Sequence, residues 1–200
     1  MRWLTRLVES PAVLSIVAIQ IGVYVAHLAQ PGLAARLALP GNIEGLSERP
    51  WSPLTAMFVH ELLVHVVLMV LMLAAFGPLL EHAARAVDVL AVYLLAGLAG
   101  SLGILAAAAA VPAWAEVGAI VGASAAVFGV TAAVLAMRPS SRLFGGTTAQ
   151  WWGALIAVNI VLLFSLPLGS MGHLAGLAVG WVYGRWITVP TRPHAEVLTP

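Results

Sequence analysis

A serine hydroxyl and an imidazole are the two halves of a nucleophile and base pair, and each stands here in an apolar stretch where a polar side chain asks for a reason. Ser124 lies near the start of the small-residue segment 118–137, and His173 lies in Gly172-His-Leu-Ala-Gly-Leu-Ala-Val-Gly-Trp-Val-Tyr-Gly184. A helix starting near Ala123 has only about 14 residues, roughly 21 Å, before the Arg138-Pro139 stop. That is too short for roughly 30 Å of hydrocarbon, so Ser124 is expected at a helix N-terminus inside a membrane. There the first N–H groups have no intrahelical partner and the helix dipole favours an oxyanion. Measured from Arg138 and Ile187, Ser124 and His173 both sit about 21 Å up their helices. If the glycine face of the last helix packs on the small face of the serine helix, the imidazole reaches the hydroxyl and acts as its general base. The alternatives are a packing face with an incidental serine and a histidine lining a wet crevice.

The run Phe58-Val-His-Glu-Leu-Leu-Val-His-Val-Val-Leu-Met69 suggests a zinc protease, but its spacing argues against one. His60 and His65 are five apart and on a continuous helix diverge by about 140°, whereas zinc histidines four apart share a face. His65 stands roughly 24 Å above Glu81, near the level of Ser124, which makes it the candidate oxyanion partner. His60, Glu61 and His27 are expected to be interfacial residues.

Composition says what must hold these groups. Of 200 residues 62% are hydrophobic and 8% charged, which describes an integral membrane protein with no room for a separate soluble domain. The nine basic residues are scattered arginines and the net charge is +1, giving no reason to expect a nucleic-acid partner. The absence of cysteine excludes thiol nucleophiles, disulfides and thiolate metal sites. No metal or cofactor is expected.

Six spans follow from the apolar runs: 12–29, 54–80, 89–111, the short 123–137, 151–166 and 171–187. The chain is thus expected to be an all-α polytopic bundle over residues 1–188, with a mobile tail at 189–200. The first run is read as an anchor rather than a signal peptide, because it is too long and lacks a small-x-small cleavage site. A Pro- and Gly-broken loop at 31–53 has room for a short interfacial helix, 139–150 is a polar loop, and Pro167 stops the fifth span. With both termini cytoplasmic, Arg2, Arg6, Arg85, Arg138, Arg142, Arg185 and Arg192 fall inside and only Arg36 and Arg49 outside. The mouth above Ser124 then opens outward.

Taken together, Gly122-Ala-Ser-Ala125, Phe58-Val-His60 with His65, Phe76-Gly77 with Glu81, and Gly172-His173-Leu-Ala-Gly176 resemble the rhomboid intramembrane serine proteases, in their bacterial-type six-helix form. The resemblance runs from the first span to the sixth. It implies a Ser124–His173 dyad without a third, acidic member. It also implies a plasma-membrane enzyme that cleaves transmembrane-segment substrates near the outer face of the bilayer. Trp51 and the 31–53 loop would embed in the outer leaflet, and the fifth span would lean out as a lateral gate.

Two positions depart from the pattern. Ala125 replaces the usual second glycine, a small-for-small change. Met69 stands where the family has an asparagine, and a thioether cannot donate a hydrogen bond. The oxyanion would then rest on His65 and the backbone N–H of Ser124, and one lost donor costs about 10² to 10³ in rate. The alternative function is a rhomboid-like pseudoprotease that binds transmembrane helices without cutting them. A small channel lined by His65, His173 and Ser124 is the third reading, and it lacks the intramembrane acids and inverted repeat such proteins often show.

Overall fold

The computed structural model describes residues 2–115 and 118–187, so the 189–200 tail lies outside the described residues. The chain begins with α1 (Arg2–Val8) and α2 (Pro11–Ala29), and Pro11 takes the first helical position of α2, where no N–H is needed. The next two N–H groups, of Ala12 and Val13, donate to the buried Glu81 carboxylate at 3.1 Å each. A negative group thereby caps the positive end of a membrane-embedded helix.

The 31–53 loop forms α3 (Leu33–Leu37), α4 (Glu44–Glu48) and the start of α5 (Ser52–Thr55), followed by a single 3₁₀ turn at Ala56–Phe58. Helix α6 covers Leu63–Ala83, so the expected second span at 54–80 begins nine residues late. The cause is long-range. The Ala56 carbonyl accepts from Gly122 N at 3.0 Å and the Met57 carbonyl from Tyr93 Oη at 2.9 Å, which ties this stretch to the serine loop and to the following helix. The chain then runs extended at Val59 and Leu62 before α6 starts.

Next come α7 (Ala86–Ala110), α8 (Pro112–Ala115) and α9 (Ser124–Met137), and then a two-residue hairpin, β1 (Arg142–Leu143) with β2 (Gly146–Thr147), inside the expected polar loop. Helix α10 (Thr148–Ser165) opens with a reciprocal cap between Thr147 and Gln150. Pro167 does more than end it, since it is the first residue of α11 (Pro167–Trp186). Helices α2, α6, α7 and α10 are long and apolar enough to cross a membrane. The short α9 and the glycine-rich α11 carry Ser124 and His173.

Helix α9 is the axis of the bundle, with every residue from Ala125 to Ala136 buried. Helix α11 lies against it backbone to backbone: a Cβ on Gly176, Gly180 or Gly184 would land on the main chain of Ala125, Gly129 or Ala133. Gly172 belongs to a different contact from the one its spacing suggests, facing Ile104 and the Gly100 carbonyl of α7. Helix α10 lies outermost, with only Thr148, Leu155 and Asn159 buried.

Gly180→Leu is expected to lower the melting temperature in detergent, because overpacking a tight contact costs about 1 to 3 kcal/mol. Gly153→Leu on α10, where no atom lies within 4 Å of an added Cβ, is the control and should leave it unchanged. Equal melting temperatures for the two variants would refute backbone packing as the α9–α11 contact.

Candidate active site

Ser124 is the first residue of α9, after Ala123 at the N-cap, so the N–H groups of the first turn surround it without intrahelical acceptors. The loop that delivers it is held by its backbone. Leu39 and Ile120 exchange both main-chain hydrogen bonds at 2.9 and 2.8 Å, and Gly122 N binds the Ala56 carbonyl. Irregular chain inside a bilayer is tolerated where protein satisfies it in this way. Gly122 adopts φ 136°, open to glycine alone, and a Cβ there would also meet His65 Cε1 at 2.6 Å. The His65 ring is therefore seated directly on the turn that presents the serine.

From α11, His173 Nε2 lies 2.6 Å from Ser124 Oγ. Phe128, one turn below Ser124 on α9, holds the imidazole from the side with ring centroids 4.6 Å apart. The other ring nitrogen, Nδ1, lies 3.2 Å from Asn159 Oδ1 on α10. Asn159 Nδ2 donates to the Leu155 carbonyl at 2.8 Å, and Ser170 Oγ donates to the Asn159 carbonyl at 2.9 Å. His173, Asn159 and Ser170 are all buried. The site is thus a chain of three side chains, serine, imidazole and amide, drawn from three helices. The sequence reading passes over Asn159 and Phe128. Asn159 was findable by the rule that singled out His173, since an amide in the middle of an apolar helix asks for a partner.

Met69 is buried in the same hydrophobic cluster as Ala123 and Val127, so it adds apolar packing near the serine helix and no donor. His60 is a correction. Expected at the interface, it is fully buried, and its ring meets that of His65 edge-on with centroids 5.1 Å apart. The rings converge because His60 precedes α6 instead of lying on it, so the divergence drawn from a continuous helix does not apply. Among the described residues no third histidine or acid joins them in a metal-binding group.

A family model for the Rhomboid domain matches residues 47–190, which is most of the chain and includes Ser124, His173, His65, Met69 and Asn159. The chain belongs to the rhomboid family. Rhomboids are mostly intramembrane serine proteases that act on transmembrane substrates within the bilayer. No curated protein matches the sequence.

Burial, and then the nearby His65, pulls the His60 pKa down to about 4 from 6.5, against an opposing pull from the Phe58 backbone, which falls short of full hydrogen-bond geometry. The unfolded chain therefore binds a proton between these values that the folded one refuses, so His60 reduces stability as pH falls below about 6.5. Neither ring nitrogen has a hydrogen-bond partner among the described residues. His60→Leu should therefore shrink the drop in melting temperature between pH 7.5 and pH 5 by about 2 to 4 °C, a change of roughly 1 kcal/mol. An unchanged drop would mean that His60 is not a buried neutral imidazole.

Proposed function

We propose that this rhomboid is an intramembrane serine endopeptidase in which Ser124 is the nucleophile and His173 the general base. The observation that carries this reading is the 2.6 Å contact between Ser124 Oγ and His173 Nε2 at the start of a buried helix. As Oγ bonds to the scissile carbonyl carbon, its proton passes to Nε2 and the carbonyl oxygen becomes an oxyanion. The backbone N–H of Ser124 and the His65 ring are the donors we assign to that oxyanion, and Met69 contributes none. Collapse breaks the C–N bond, and Nε2 returns the proton to the leaving amine. Water then attacks the acyl-enzyme, giving a proton to Nε2, and the second collapse frees the peptide acid and restores the serine.

In this reading the chain has six spans and cytoplasmic termini, the side favoured by the arginine distribution, so Ser124 lies toward the outer face, where a transmembrane segment that unwinds near the surface reaches it. Helix α10 is the side entrance in this reading, supported by its few buried residues. The second reading, a pseudoprotease that binds transmembrane helices, draws its support from Met69.

Cleavage of a single-span substrate in proteoliposomes separates the two. The parent should cut it near the outer face, while Ser124→Ala and His173→Ala should not. An inert, folded parent would favour the pseudoprotease. Met69→Asn should raise kcat by about tenfold or more with KM little changed, because it adds a donor to an incomplete oxyanion site. Met69→Asn combined with Ser124→Ala must stay inactive. An unchanged kcat in Met69→Asn would show that the oxyanion site already holds another donor.

A further inference from the structure

A serine can pass its proton to an imidazole only if the nitrogen facing it carries a free lone pair. A neutral histidine has two tautomers, and one of them points an N–H at the serine and is useless as a base. What stands at the far nitrogen decides between them. Here it is Asn159 Oδ1, 3.2 Å from His173 Nδ1. The two ends of a side-chain amide look alike, so the assignment needs its own argument. The Leu155 carbonyl supplies it. It lies 2.8 Å from Asn159 Nδ2 and can only accept, so a reversed amide would set two carbonyl oxygens against each other. Ser170 Oγ, 3.4 Å from Oδ1, already gives its one hydrogen to the Asn159 main-chain carbonyl at 2.9 Å, so the Leu155 contact alone sets the orientation. With Oδ1 facing the ring, Nδ1 must carry the hydrogen, and Nε2 is left free to accept from Ser124.

We infer that Asn159 is a positioning residue that holds His173 in the Nδ1-protonated tautomer and orients its ring toward Ser124. This rests on the protease reading for its catalytic consequence, though the tautomer itself does not depend on it. The amide supplies the orientation that a carboxylate supplies in serine–histidine–aspartate sites, without bringing a second charge into the apolar interior. It is buried, as is the Ser170 that binds it, so water does not compete freely for Nδ1. The arrangement extends the two-residue dyad that the family resemblance implies.

The test is the ¹⁵N NMR spectrum of histidine-labelled protein in nanodiscs at pH 8, with the His173 signals assigned by their loss in His173→Gln. The parent should show a protonated Nδ1 and a bare Nε2. Asn159→Leu, close in volume but without an acceptor, should mix the tautomers and lower kcat by about 10- to 100-fold with KM little changed, part of the 10² to 10⁴ that a general base contributes. Asn159→Asp, which keeps an acceptor oxygen, should retain the parent tautomer and most of kcat. A merely structural Asn159 would change the melting temperature and leave the tautomer alone. A parent that is protonated on Nε2 overturns the inference without any variant, as does an unmixed tautomer in Asn159→Leu. If the parent cleaves nothing and yet shows Nδ1 protonated, the protease reading fails while the role of Asn159 stands.

Discussion

Everything in this protein depends on two helices touching through their backbones. In a bilayer the lipid chains are as apolar as the side chains, so burying hydrophobic surface gives helices little reason to associate, and close packing must supply it. Helix α11 meets that requirement with glycine at 176, 180 and 184, each against the main chain of α9. The same closeness is what lets a side chain as short as serine reach an imidazole on the next helix. Gly97, Gly100 and Gly129 extend it to α7, where added Cβ atoms would strike Met57, Ala125 and Ala96. The bundle is tight at α7, α9 and α11, and looser outward. Stability and site geometry therefore have one source.

The second requirement is that the irregular chain before α9 find main-chain partners in a place that water reaches poorly. Among the described residues, the segment between α2 and α6 supplies them at Ile120 and Gly122. Leu39 pairs with Ile120, and Ala56 pairs with Gly122. Arg49 Nη1 donates to the Ala35 carbonyl at 2.6 Å and Trp51 Nε1 to that of Arg36 at 3.2 Å, which hold the loop together. At the other end of the bundle Glu81 caps α2, and midway along α2 Gln20 Nε2 donates to Tyr93 Oη at 3.1 Å, which ties it to α7. Each polar side chain in these contacts closes a backbone or hydroxyl group that lipid could not.

How legible this was depended on the range of the interactions. The short α9 and its serine, the glycine repeat of α11, and the extents of α2 and α7 are local patterns, and they lie where spacing puts them to within a few residues. The start of α6 was not legible. Residues 54–62 run into the helix that follows with no glycine or proline between them, and the break comes from carbonyls recruited by Tyr93 and Gly122, far along the chain. His60 was misplaced for the same reason, since its burial follows from that break. The Asn159 contact was half legible: the type of residue announces a buried partner, but which helix α10 would face is a tertiary fact. Met69 was legible as chemistry, and its burial agrees with an apolar role.

The account stands or falls on whether Ser124 is an activated nucleophile. A hydroxyl with a bare imidazole nitrogen at 2.6 Å should react with a fluorophosphonate, whereas an ordinary serine in an apolar helix should not. The measurement is labelling of the purified protein in nanodiscs with a fluorescent fluorophosphonate, with the modified residue mapped by peptide mass. The account predicts label on Ser124 in the parent and its loss in His173→Ala. A folded parent that resists the reagent, or label that persists at Ser124 without His173, would contradict it.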